Sequence, residues 1–285
     1  MFARRIWSQL ESLHAVTYFA PESMEAAKAA GLRGFWMGYF GFRACPLGPV
    51  DAGMIEAAFA NFAPAMVRRA IPDAWKYANP SDLMLVRAQA AASALRRMSS
   101  QIEQAATAVN DDLEAVISCA TSIGRPLFAA NRDIGRLDDP VAQLWQNCTT
   151  LREHRGDGHV AALASAGIDG CEAHLLIAAE HGWQPDVFFD NRGWSGEQQQ
   201  HARTRLAERG LLNESGLTTE GAALRSLVES TTDLRAAEPY ERALHPNRRA
   251  ELLAELERVA DDVIRSETIP FPNPMGLPRP SLPPA

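Results

Sequence analysis

Residues 195–224 read SGEQQQHARTRLAERGLLNESGLTTEGAAL, and this stretch decides the fold. Ser195 predicts the cap of a helix, because its hydroxyl oxygen accepts from first-turn amides that have no partner inside the helix. Gly210 predicts the stop, since glycine takes the left-handed turn at a helix end without steric cost. Only the connection NESG at 213–216 then separates this helix from another, entered through Thr218. Upstream, DGCEAHLLIAAEHG at 169–182 predicts a helix that ends at Gly182.

Working outward, helix-period patterns recur along nearly the whole chain. No run of alternating Val, Ile, Thr and Tyr is followed by a two-residue hairpin turn, the signal expected of an antiparallel sheet. The expected class is all-α. A first helix is predicted to about Leu13, a second from Pro21-Glu22-Ser23 to Gly31, and another from about Ala52. Ser81-Asp82 reads as the start of a long helix and Asn110 as the start of the next, closed at Gly124-Arg125-Pro126. Asp139-Pro140 opens a helix running to Gly167, with a break expected near Gly156-Asp157-Gly158. The end from Ile269 carries seven prolines in seventeen residues and is expected to be extended or loosely draped. The division that follows is a helical bundle at 1–150, a winged-helix-like module at 151–268 and a proline-rich tail at 269–285.

Composition narrows the functional classes. The chain has 285 residues, with Lys+Arg 28 against Asp+Glu 35 and a formal charge of -7. That balance argues against broad binding to a phosphate backbone, which needs a positive surface. Cys45, Cys119, Cys148 and Cys171 are scattered, without CxxC pairs or zinc-ligand spacing, which fits a reducing compartment. MFARRIWSQLE lacks the apolar core of a signal peptide, and no apolar stretch reaches 18 residues. The expectation is a cytoplasmic protein with no membrane partner. GxGxxG, Walker, Gly-x-Ser-x-Gly and His-Glu-x-x-His patterns are absent, so the common dinucleotide, kinase and hydrolase classes are disfavoured and no cofactor is named.

Two resemblances bear on function. Leu206-x-x-x-Gly210-Leu211-Leu212 followed by Leu217-Thr218-x-x-Gly221-x-x-Leu224 resembles the winged-helix module of MarR-type regulators over roughly 70 positions. The whole chain is also similar to an actinobacterial helix-turn-helix family of the SCO type, called SalK-like. That likeness is carried by His14-x-Val16-Thr17-Tyr18-Phe19, Arg43-x-x-Pro46-Leu47-Gly48 and LREHRGDGH at 151–159. The MarR-type resemblance implies that the helix from Ser195 to Arg209 is a recognition helix, with Gln198, Gln199, His201, Arg203 and Arg205 able to reach bases or phosphates. Two features depart from that pattern. NESG lacks the basic wing residue, and residues 183–265 hold 11 Arg against 15 acids, a net of -4. A winged helix serving as a packing domain is therefore an equal reading.

The run LREHRGDGHVAAL at 151–163 concentrates the polar chemistry. On a helix, Arg152, Arg155 and His159 share one face, while Glu153 and Asp157 lie one turn apart on another. Three readings stand: a buried ion-pair network, an anion site, or acid–base catalysis by His154 or His159 with Asp157 orienting the ring. His154 and His159 are five positions apart and no third ligand has metal spacing, so no metal site is expected. The aromatic segment offers a second constellation. Tyr18, Phe19, Phe35, Trp36, Tyr39, Phe40 and Trp75 suit either plain core or the wall of a flat ligand, with Arg43 as a carboxylate clamp and His14 as a further partner. The combined expectation is a ligand-responsive regulator. A small aromatic or anionic molecule binds between bundle and winged helix, DNA is a further partner, and the protein is a homodimer. The alternatives are an enzyme acting on a small anionic or aromatic substrate, and a structural interaction module.

Overall fold

The computed structural model describes residues 2–273 and 275–277, without the side chain of Val187. The chain is all-α. In order, the elements are α1 Phe2–Phe19, α2 Pro21–Ala29, α3 Gly34–Ala44, α4 Ala52–Ala58, α5 Pro64–Arg68, α6 Pro80–Met98, α7 Ile102–Cys119, α8 Pro126–Arg132 and α9 Pro140–Ser165. They continue with α10 Gly170–His181, α11 Asp186–Phe189, α12 Gly196–Glu208, strands β1 Leu212–Asn213 and β2 Gly216–Leu217, α13 Thr219–Ala243 and α14 Pro246–Arg265.

Local chemistry sets many of these boundaries. Asp139 accepts from the Val141 and Ala142 amides, with Pro140 at the first helical position. Asp169 with Glu172, and Ser195 with Gln198, form reciprocal capping boxes at the starts of α10 and α12. Gly182 and Gly210 take the left-handed turn at φ 64° and 67°. Thr218 caps α13 by accepting from the Gly221 amide.

Helix α9 is the axis of the molecule, lying against α1, α6, α7, α8 and α13. From Val141 to Leu151 every residue is buried, so this part shows no polar face. The main core gathers α1, α6, α7, α9 and α14 around Trp145, Leu13, Leu95, Val109 and Leu256. A second core, around Phe40, Phe59 and Ile71, joins α3 to α4 and α5. A third holds α10, α12, the hairpin and α13 together through Leu175, Leu176, Ala202, Leu206, Leu212 and Val228. The hairpin is antiparallel, pairing Leu212 with Leu217 and Asn213 with Gly216. Residue 150 falls inside the unbroken α9, and α14 returns to pack on α1 and α7.

Four expectations are corrected. Helix α1 continues past Leu13 to Phe19, because every residue from Leu10 to Tyr18 is buried and tertiary packing sustains the helix. The cap of α6 is Asn79, not Ser81-Asp82, and its side chain accepts from the Ser81 amide. Asn110 sits in the middle of α7, where its amide donates to the Pro140 carbonyl at 2.9 Å and its oxygen accepts from Asn147 at 3.2 Å. The break between α6 and α7 falls instead at Ser99, whose backbone is extended. Helix α9 does not break at Gly156-Asp157-Gly158.

The described residues of the proline-rich end are packed: Ile269 joins the main core, and the Asn273 amide donates to the Pro270 and Leu277 carbonyls. The rest of that tail, residues 278–285, lies outside the described residues.

Candidate functional site

A cavity of about 820 Å³ opens where the helices of the bundle meet α10 and α13. Arg4, Trp7 and Glu11 of α1, Tyr39 and Arg43 of α3, and Arg152, Arg155 and His159 of α9 form one side. His174 and Trp183 at α10, and Arg225, Glu229 and Asp233 of α13, form the other, with Arg192 from the segment before α12. Among the described residues, six arginines thus face one space, against four lining carboxylates.

Five of these arginines are held in two paired networks. Arg43 donates to Glu153 through Nε at 2.9 Å and through the second terminal nitrogen at 3.0 Å, and Arg152 adds a bond to the same carboxylate at 3.0 Å. Arg152 also donates to Glu11 at 3.1 Å, and Arg43 to the Tyr39 hydroxyl at 3.3 Å. Burial works against the Glu153 carboxylate, but Arg43 and Arg152 overcome it and hold its pKa well below the usual range. In the second network Arg155 donates to Asp233 at 2.7 Å, and Arg4 reaches the other Asp233 oxygen at 2.7 Å. Arg225 bridges Glu180 at 2.7 Å and Glu229 at 3.2 Å, while Arg4 also pairs with Glu229. This network ties α1 and α9 to α13.

Arg192 lies 4.4 Å from the Phe62 ring centroid, and burial lowers its pKa. The His159 ring is 3.2 Å from the Thr232 hydroxyl, and burial lowers its pKa to about 4. His174 stacks on Phe188 and stands 3.2 Å from the Asn61 carbonyl.

The structure places Arg152, Arg155 and His159 on this cavity together, with Tyr39 and Arg43 beside them. His154 and Asp157 lie elsewhere, toward α8. Asp157 accepts from the Phe128 amide at 2.9 Å, in the first turn of α8. Burial, helped by Glu153, pushes its carboxyl pKa up to about 7. His154 packs edge-on against Phe128, and burial with Arg125 nearby lowers its pKa to about 3. Gly158 makes room for Arg125: a Cβ there would lie 2.6 Å from a guanidinium nitrogen.

His14 is buried between Thr149 and Tyr18, at 2.9 Å from each hydroxyl. Tyr18 stacks on Tyr39, while Trp36 and Trp75 pack on the second core and Phe19 on the main one. The residues missed in the sequence are Arg4, Trp7, Glu11, Arg192, Arg225, Glu229 and Asp233. Those of α13 had a readable signal: Arg225, Glu229 and Asp233 recur every four positions, one stripe along a helix. Those of α1 had a similar one: Arg4, Trp7 and Glu11 stand at i, i+3 and i+7, again on one helix face.

A helix-turn-helix family matches residues 3–270. The chain belongs to this helix-turn-helix family. No curated protein and no solved structure matches it. At the coarse level, membership suggests a DNA-binding regulator. Among the described residues no single helix is long and apolar enough to cross a membrane; α9 and α10 pass that test only as a pair, bent by 97°.

In the helix-turn-helix protein, α12 packs through Ala202 and Leu206 and leaves Gln198, His201, Arg203 and Arg205 exposed, with Gln199 half-buried. Several of these side chains are already engaged. Gln198 completes the capping box, Gln199 donates to the Trp194 carbonyl at 3.0 Å, and Arg205 pairs with Glu172 at 2.8 Å and with Asp169. Arg209 donates to the Ala166 and Gly167 carbonyls at the end of α9. The hairpin turn presents Glu214 and Ser215, with no basic residue.

Proposed function

We propose that this helix-turn-helix protein is a ligand-responsive, cytoplasmic regulator whose cavity takes a flat organic anion. The observation that carries the reading is the composition of the cavity wall. Arginines from the bundle helices and from α13 face a single space beside Tyr39, Phe59, Phe62 and Trp183. Guanidinium forks bind carboxylates and phosphates bidentately, and aromatic faces take a flat body. The volume lies within the range of small-molecule sites. An anion entering here competes with Glu229 and Asp233 for Arg155 and Arg225. It thereby biases how α13, and the α10–α12 segment joined to it, sits against α9. The MarR-like resemblance of residues 206–224 supports the same reading, with a two-fold dimer as the unit that meets DNA.

The test is calorimetric titration of the full chain with a panel of aromatic carboxylates and phosphate esters, followed by selection from a random DNA pool with and without the binder. The expected result is saturable binding that Arg155→Gln and Arg225→Gln each weaken, and DNA retention that changes on adding the binder. Unchanged affinity in both variants sinks the ligand reading. A pool that enriches no sequence in either condition sinks the DNA part.

A second reading, catalysis on the bound anion, rests on His159. Its ring lines the cavity, and burial lowers its pKa to about 4, so it stands there as a neutral imidazole. Asp157 does not orient it, being engaged with the Phe128 amide. Turnover of a binder that disappears in His159→Gln, with affinity retained, is the result this reading requires.

A further inference from the structure

A second pocket, of about 520 Å³, lies on the other side of Tyr39 from the arginine cavity, between the end of α1, α2 and α3. Its geometry follows from small residues. Gly31 turns the chain after α2 at φ 93°, and α3 approaches α2 so closely that a Cβ on Gly38 would stand 3.2 Å from the Ala27 methyl. Where these small residues face inward, no side chain among the described residues fills the space between the helices.

The walls are mainly apolar and aromatic. Tyr18 and Tyr39 stack at 4.7 Å between centroids and close the inner end, and the Phe35 ring stands 6.4 Å from Tyr39 toward the mouth. Met24 and Phe35, 48% and 47% exposed, both sit on this pocket, so two large apolar side chains face solvent where a ligand would cover them. One polar group stands out. Thr17 lines the pocket, is 8% exposed, and its buried hydroxyl has no hydrogen-bond partner among the described residues. A hydroxyl in a helix ordinarily bonds the carbonyl one turn back, and a buried polar group left unmade is costly.

We infer that the pocket between α1, α2 and α3 is a binding site for a flat, uncharged aromatic molecule carrying one hydroxyl or carbonyl, which stacks against Phe35 and Tyr39 and completes the hydrogen bonding of Thr17. The molecule meets no buried charge, which separates its class from the anion proposed for the arginine cavity. The inference stands whether or not that cavity binds anything.

The experiment is fluorescence titration of the full chain with β-naphthol, with naphthalene as the partner lacking the hydroxyl. Wild type binds both saturably, β-naphthol the tighter by about three- to tenfold. Phe35→Ala, at an exposed position, loses affinity for both by about tenfold. Thr17→Val, equal in shape, removes the preference for β-naphthol and leaves naphthalene binding intact, which also shows that the pocket still forms. Arg225→Gln, in the other cavity, changes neither. The inference is overturned if wild type shows no saturable binding, if Phe35→Ala binds as wild type does, or if Thr17→Val retains the preference. It is likewise overturned if Phe35→Ala alters the sedimentation mass while wild type binds no probe, for then a second copy covers this face.

Discussion

Arg43 on α3 grips Glu153 on α9 with two parallel bonds of 2.9 and 3.0 Å, while its guanidinium lies 4.0 Å from the centroid of the Phe59 ring. The residues are 110 positions apart, and the pair joins the aromatic segment to the central helix. Glu153 is 1% exposed, so its charge is compensated by Arg43 and Arg152 rather than by water.

Replacing Glu153 by Gln leaves two buried guanidiniums facing an amide. We expect a loss of about 3–5 kcal/mol in urea unfolding, the usual cost of removing one partner of a buried pair. The double variant Arg43→Met with Glu153→Leu should cost less than Glu153→Gln alone, because only Arg152 then remains and Glu11 still pairs with it. A double variant that is worse than the single one contradicts this account.

Asp157 gives a pH signature. Its folded pKa of about 7 stands above its ordinary 3.8, so the folded chain holds a proton that the unfolded chain releases. That contribution is complete below pH 3.8 and is lost as pH rises through 7. Asp157→Asn keeps an acceptor for the Phe128 amide and cannot ionise. Its stability relative to wild type should therefore increase from pH 4 to pH 8 by a few kcal/mol, at about 1.4 kcal/mol per pKa unit. Parallel stability curves for the two proteins would refute the shift.

Two glycines should respond in opposite directions. A Cβ on Gly170 would lie 1.8 Å from the Ala60 carbonyl oxygen, so Gly170→Ala must push α10 off the loop beside it. The expected cost is about 3 kcal/mol or more. At Gly156, inside α9, the nearest atom to an added Cβ is 3.5 Å away, and Gly156→Ala should stabilise by about 0.5–1 kcal/mol through helix propensity. Thermal melts of both variants decide it.

On α12, Arg203 and Arg205 should separate folding from DNA contact. Arg205 is engaged with Glu172 and Asp169, and Arg205→Ala should cost up to about 1 kcal/mol as a surface pair does. Arg203→Ala should leave the melting temperature unchanged and abolish whatever sequence the random DNA pool enriches. Equal DNA retention by wild type and Arg203→Ala would show that α12 is not the reading helix.

Much of the helical plan was legible locally. Asp139, Asp169, Ser195 and Thr218 cap helices where their side chains reach first-turn amides, and Gly182 and Gly210 end them, because such signals act within one turn. Where the local signal failed, at Leu13, Asn110 and Gly156, buried packing or long-range bonds overrode propensity. The common face of Arg152, Arg155 and His159 was likewise legible, since helical periodicity alone places them together.

The amino-acid sequence by itself therefore determined the all-α class, most helix ends and one wall of the arginine cavity, all consequences of contacts within a turn or two. Only the tertiary structure decided which charges meet at that wall. Arg4 and Asp233 come from α1 and α13, and they meet because both helices bury their apolar faces against α9. It also sent Asp157 to the first turn of α8 rather than to a histidine. A residue's face on its own helix follows from backbone geometry, but the neighbour it faces follows from how the whole chain excludes water.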